Sequence, residues 1–420
     1  MGKDTNNDDL QSPAVESRAD LAAQYAAFEE SLTIRQAISI YWKSTLWIIY
    51  GLTLVFGCAM DGIIAANLLA IPKFREDYGE KYLSNTETAY IIPATWLAIF
   101  SGASQLCAII GAFGAGWVAD LIGRKYTTLV SCVISIIGVT VQYESNGSLG
   151  ILAVGKAING FPIGVWPLLG PLYASEVATL KLRGILVSVT NFAMLSSVLI
   201  FSCVTLSLGS TPSASSYRIP IACQWIVPSL VLLTIPMWPE SPVWLVGTGR
   251  RAAAIRSIRR LYGANKKVNE EALLAQIEQR VAQEKTKNQG TYRECFSATE
   301  RKQTMACMFV YACQYLSGIV LIGGYQSYLF ELLGYSTHDS LLLGTLNIAV
   351  QGGAGICSWF LIPVVEHRNL ILWGQLAAAV CLFIVGGGST STTQSGHHLT
   401  VAFIFIWVSG KFFILSSFLY

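Results

Sequence analysis

A single carboxylate stands inside a long apolar run, in Cys58-Ala59-Met60-Asp61-Gly62. A charge is costly in such a place, so it marks a pathway, a proton relay or the partner of another charge. A second apolar run offers a cation, in Gly155-Lys156-Ala157-Ile158-Asn159-Gly160. Two readings stand side by side. Asp61 and Lys156 form a functional pair, or Asp61 is hydrated at a membrane rim while Lys156 snorkels its ammonium to an interface. Other charges gather where apolar runs end: Asp120, Arg124 and Lys125, then Glu176, Lys181 and Arg183, then Glu240 and Arg250. Such acids and bases can latch and release, or they are static surface pairs contributing under about 1 kcal/mol each. Amides and aromatics within apolar runs form a third set: Trp166, Asn191, Gln224, Gln314, Tyr315, Tyr325, Gln326, Tyr328, Asn347 and Gln351. Each either glues helices together or presents donors, acceptors and ring faces to a cargo. No nucleophile motif, nucleotide-binding loop or zinc-type cysteine spacing is present. The sequence therefore gives no support for an enzyme or an ATP-driven pump, and no cofactor or metal is expected.

The elements that must position these residues are membrane spans. The chain is 53% hydrophobic and 13% charged, against about 25% charged in soluble domains. Ten apolar runs are long enough to cross a bilayer, near 45–67, 91–114, 126–142, 150–172, 185–208, 219–238, 306–331, 340–363, 369–388 and 399–419. Lipid cannot satisfy free backbone groups, so the class is an all-α integral membrane bundle. The third run is short and begins beside Lys125, so its helix is expected to continue a turn deeper. The runs fall into two bundles, 45–238 and an incomplete 306–420. Between them a polar linker, 239–305, carries short amphipathic helices around Arg250–Leu261 and Glu270–Ile277. Residues 1–44 are polar to about Arg35 and lack the apolar core of a signal peptide. They read as a disordered tail, with an amphipathic stretch over 28–43 that can lie on the membrane.

Lys and Arg concentrate in the loops after every second run: Arg124 and Lys125, Lys181 and Arg183, Arg250 to Lys302, and Arg368. Those loops are expected in the cytoplasm, and so are both chain ends. The net charge of +3 reports topology and gives no reason to expect nucleic-acid binding. Asn146-Gly147-Ser148 is a glycosylation sequon in an opposite-side loop, either used or silent. The cysteines lie in or beside apolar runs except Cys295, so no disulfide is expected. The chain is expected to be a monomer in the lipid bilayer.

Pro171, Tyr173, Ser175, Glu176, Lys181, Arg183 and Gly184, followed by Pro239-Glu240-Ser241-Pro242 and Trp244-Leu245, resemble the paired signatures of the sugar porter family of the major facilitator superfamily. Gly116, Asp120, Gly123, Arg124 and Lys125 are similar to the superfamily's loop signature, although Leu121 replaces a usual base. Asp61, Asn191, Pro220–Trp225 and Gly324–Glu331 resemble the fungal α-glucoside (maltose-type) permease branch.

The resemblance implies a major facilitator fold of two pseudo-repeat bundles at the plasma membrane. It also implies uptake of an α-glucoside or hexose with protons by alternating access. Asp61 and Lys156 take the places of the family's Asp–Arg coupling pair, with Lys lacking the bidentate fork. Asn191 and Gln314 take sugar-binding places, and Tyr315 replaces the second glutamine of a pair. Trp166, Tyr325, Asn347 and Gln351 are further sugar-site candidates. Asp120, Arg124, Lys125, Glu176, Arg183, Glu240 and Arg250 fall to an inner gate in which acids of one half pair with bases of the other.

The departures are at the end of the chain. The family has twelve spans where ten are read here, and Lys411 interrupts the tenth. The equivalent of the loop signature in the second half, around Pro363, Glu366, His367 and Arg368, has lost its glycines. Poor transport by the 420 residues is therefore expected. Two alternatives remain: a metabolite exporter, and a non-transporting remnant or sensor.

Overall fold

The computed structural model describes residues 13–83, 88–209, 211–263, 268–286, 294–297, 300–314, 316, 318, 320–361, 367–389 and 394–417. Gln314 is described only in its backbone, and Tyr315 lies outside the described residues.

Two short helices precede the first span: α1 (Pro13–Ser31) and α2 (Ile34–Ile40). The break between them is set by Thr33, whose hydroxyl accepts the Gln36 N–H while the Gln36 side chain takes the Thr33 N–H. The disordered tail expected before Arg35 is thus corrected over 13–31. Tyr25 and Glu29 are buried there because α1 packs on a helix of the linker.

The first bundle contains α3 (Trp42–Leu68), α5 (Ala94–Ile122), α6 (Arg124–Tyr143), α7 (Leu149–Val177), α8 (Leu180–Gly209), and a sixth span built from α9 (Ser215–Cys223) and α10 (Ile226–Thr234). Six stretches among the described residues are long and apolar enough to cross a membrane, and they are these. The third runs from Arg124 to Tyr143, two residues beyond the apolar run at one end and one at the other, short of the extra turn expected. The loop after α3 folds into α4 (Pro72–Tyr78) and a hairpin of β1 (Glu80–Leu83) and β2 (Thr88–Ile91), which pair antiparallel.

Close packing of α5 on α7 rests on small residues. A Cβ on Gly164 would stand 1.9 Å from the Ala108 carbonyl oxygen, and one on Gly160 would stand 2.3 Å from that of Ser104. Only hydrogen fits between these backbones. Three prolines, Pro162, Pro167 and Pro171, sit within α7. They are tolerated where neighbouring helices shield the freed carbonyls.

The linker holds α11 (Pro242–Gly247), α12 (Arg251–Tyr262) and α13 (Glu270–Thr286). The second bundle follows with α14 (Arg301–Gln314), α15 (Val320–Leu332), α16 (Thr337–Leu361), α17 (His367–Ser389) and α18 (Gln394–Ser417). Within the run read as one span over 306–331 the structure describes α14 and α15, and α15 is bent at Tyr325, where φ is −131°. The bundles meet where α15 packs on α3 and α16 packs on α8.

Candidate functional site

Asp61 lies seven residues before the end of α3, and Lys156 lies seven residues after the start of α7. The helices run in opposite directions, so both residues stand at one depth, about 10 Å from the same end of the bundle at 1.5 Å per residue. The structure brings them together. Lys156 Nζ donates to Asp61 Oδ1 at 2.8 Å. Asn159 Nδ2 donates to the same oxygen at 3.0 Å, and its own Oδ1 accepts from Ser135 Oγ at 2.8 Å. Asp61 and Lys156 are each 6% exposed. In this structure the two residues are therefore a buried, intact pair. A buried pair of this kind persists only because both charges have partners.

The pair lines a cavity of about 420 Å³, inside the range of about 300–1,000 Å³ usual for ligand pockets. Ser101, Ser104 and Gln105 of α5 face it, with Phe100, Phe74 and Tyr325 supplying ring surface. Tyr325 comes from the second bundle, and its hydroxyl shares a hydrogen bond of 3.0 Å with Ser101 Oγ. The cavity therefore has walls from both bundles. Near it Asn67 donates to Thr205 Oγ1 at 2.7 Å and accepts from Ser327 Oγ at 3.2 Å, tying α3 to α8 and α15.

Other candidates are placed differently. Trp166 is buried in the first bundle, where its indole N–H donates to Ser131 Oγ at 3.0 Å. It does not line the cavity. Asn347 is fully buried and donates to Gln326 Oε1 at 2.8 Å, while Gln326 donates to the Gly344 carbonyl. These amides join α15 to α16. Gln351 is half-buried one turn beyond Asn347, and Asn191 is half-buried on α8.

At the linker end of the bundle, Arg124 is a hub. Its Nη2 and Nε donate to the two oxygens of Glu176 at 2.6 and 3.1 Å, and Nη1 donates to Asp120 Oδ1 at 3.1 Å. Glu240 accepts the backbone N–H groups of Arg124, Lys125 and Ser241. Gly123 makes this approach possible, with φ at +93° and Glu240 Oε2 2.5 Å from where a Cβ would be. Burial pushes the Glu240 carboxyl up, and the three backbone N–H groups pull it part of the way back. Lys125 Nζ donates to the Pro236 carbonyl at 3.2 Å.

Two details depart from the sequence expectation. Arg250 does not pair with Glu240 but lies over the Trp244 ring at 5.5 Å. The ion pairs of Arg124 also lie within the first bundle, not across the two. The Lys181 and Arg183 side chains and residues 362–366 lie outside those described. Asn146, in the sequon, is exposed in a left-handed turn at φ 41°, and its Oδ1 accepts from Arg218 at 2.5 Å.

Sequence reasoning missed Asn159, Asn67 and the three polar residues of α5. Asn159 was findable, because a residue three after Lys156 shares its helix face. The others are ordinary polar residues in apolar helices and carry no signal of their own.

Two helix bundles, with a buried ion pair and a cavity walled by both, make up a major facilitator fold. The solved structures bear out that fold. A partially occluded inward-open form of the xylose transporter XylE from E. coli superposes with a TM-score of 0.69 at 17% identity, over 89% of this chain and 86% of that one. XylE bound to 6-bromo-6-deoxy-D-glucose gives 0.68 at 19% identity, over 91% and 81%. The family described as sugar (and other) transporter matches residues 48–415, and the chain belongs to it. A general alpha-glucoside permease of Saccharomyces cerevisiae is 30% identical over 88% of this chain and 61% of its own length. Maltose permease MAL61 of the same organism is 28% identical over 87% and 60%. The chain thus spans about three-fifths of the length of these relatives.

Proposed function

We propose that this chain moves an α-glucoside or hexose across the plasma membrane together with a proton, by alternating access. The observation that carries the reading is the Asp61–Lys156 pair on the wall of a cavity shared by both bundles. Both hydrogen bonds to Asp61 fall on Oδ1. A proton arriving on Oδ2 neutralises the carboxylate and removes the charge that holds the Lys156 ammonium. The network of α3, α6 and α7 then loosens, and the energy of the pair becomes a difference between loaded and empty states.

In this reading, sugar hydroxyls exchange hydrogen bonds with Ser101, Ser104, Gln105 and Tyr325, and a ring face lies on Phe100. Asn191 and Gln314 keep their proposed sugar contacts through their motif positions. Arg124, Glu176, Asp120, Lys125 and Glu240 form the latch at the cytoplasmic end, and both chain ends face that side. The α-glucoside permeases among the relatives support the cargo class.

The test is transport by the purified chain in vesicles. Wild type, although slow, is expected to accumulate maltose under an inward proton gradient. Asp61→Asn loses that accumulation and keeps part of its sugar counterflow, because an amide carries no proton. Uphill transport undiminished in Asp61→Asn rules the coupling out.

A further inference from the structure

A second cavity, of about 490 Å³, lies where α6 begins, between the 236–241 loop and α12. Five cations line it: Lys125, Arg250, Arg256, Arg259 and Arg260. Its one carboxylate, Glu240, is occupied by backbone N–H groups. Arg259 is held by Glu270 at 3.0 Å, and Arg250 by the Trp244 ring. Arg256 and Arg260 have no carboxylate partner among the described residues. They stand four residues apart on the exposed face of α12, whose other face buries Ala254, Ile258 and Leu261. Like charges at this spacing repel one another, so the arrangement favours an anion between them.

The place of the cavity says which anion. Lys125 opens the span α6, and α10 ends at Thr234, so the cavity sits in the plane where the membrane surface meets the linker. Beside it Tyr126, Leu233 and Met237 are exposed apolar surface. Cations at headgroup depth beside apolar surface match a molecule with a phosphate at one end and hydrocarbon at the other.

We propose that this cavity binds the headgroup of an anionic phospholipid from the leaflet on the linker side. Its acyl chains lie along α6 and α10. The bound phosphate neutralises cations beside the Lys125–Glu240 latch and so favours the latched arrangement.

The experiment uses the full chain in nanodiscs of phosphatidylcholine, alone or with a minority of phosphatidylserine. Retained lipid is read by native mass spectrometry, and the thermal midpoint is read alongside. Phosphatidylserine is expected to be retained and to raise the midpoint. Arg256→Gln/Arg260→Gln should lower its retention by roughly 30-fold, since each cation near the surface contributes about a factor of five. Arg256→Lys/Arg260→Lys, which keeps the charge, should retain the lipid, as should Arg35→Gln, a cation of α2 outside the cavity. Equal retention of both lipids overturns the proposal. So does loss of phosphatidylserine in Arg35→Gln to the same degree, which would mark diffuse surface attraction. Inositol hexakisphosphate protecting the chain equally well, with phosphatidylserine without effect, would assign the cavity to a soluble phosphate and overturn the lipid assignment.

Discussion

Asp61, Lys156 and Asn159 show why a buried pair is expensive to cut in half. Removing one charge leaves the other buried without a partner, at a cost of about 3–5 kcal/mol. Removing both leaves a neutral site. Asp61→Asn alone is therefore expected to lower the thermal midpoint more than Asp61→Asn with Lys156→Met. The check is unfolding of the single and double variants in one detergent. A double variant less stable than either single would mean that the two residues do not hold each other.

The loud signals in the sequence were those of charge in an apolar setting, which is why this pair was legible. Trp166 and Asn347 were open to both readings, helix glue or cargo contact, because an indole or amide in a span has two uses, and composition cannot choose between them. In the structure each hydrogen-bonds to a neighbouring helix.

Helix packing in the first bundle makes the next expectation. Gly164 lies against the Ala108 carbonyl, whereas Gly102 of α5 has nothing within 4 Å of a Cβ. Gly164→Ala should force α5 from α7 and destabilise the chain by about 1–3 kcal/mol, while Gly102→Ala should be neutral or mildly stabilising. Thermal melts of the two variants decide it, and equal melts would contradict the packing.

Glu240, at the junction of α6 and the linker, makes a pH expectation. Its carboxyl is raised above the ordinary 4.5, so the folded chain holds this proton to higher pH than the unfolded chain does. The stability it contributes is present below the unfolded value and is lost as pH rises through the folded value. A melt series across that mildly acidic window should fall in wild type relative to Glu240→Gln, which keeps an acceptor oxygen and removes the titration.

The six spans of the first bundle were readable because each apolar run is long enough to cross a bilayer, and Ser148 adds a start signal before α7. The break at Gln224–Trp225 and the irregular backbone at Gly318 were not readable. Hydropathy averages across a bend, although a glycine, at φ +84°, marks the second one.

At the scale of the molecule, the bundles are joined at the end away from the linker. Arg75 of α4 and Glu331 of α15 form an ion pair at 2.5 Å, and Glu331 also accepts from Thr337 Oγ1. Ser202 and Thr345 share a hydrogen bond of 2.8 Å. Among the described residues, no ion pair or side-chain hydrogen bond joins the bundles at the linker end. Any state open at the far end must break Arg75–Glu331. Glu331→Gln should therefore raise the labelling of a cysteine at Gln105 by a membrane-impermeant thiol reagent added from that end. Unchanged labelling would show that the pair does not hold the bundles shut.

The docking of α1 on α13 has a consequence for how the chain is made. Tyr25 and Tyr41 share a hydrogen bond of 2.8 Å, and burial pushes the Tyr41 phenol up to about 12, so both hydroxyls stay protonated. Gln276 donates to Glu29 across 247 residues of sequence. At about 5–20 residues per second, the ribosome delivers α13 roughly 12–50 s after α1. For that interval α1 lacks the partner that α13 provides and has Tyr41 and α8 to pack on, while six spans enter the membrane. Full burial of α1 thus waits on the linker, and a ribosome paused before Glu270 would leave the side of α1 that α13 covers open to whatever chaperones attend the nascent chain.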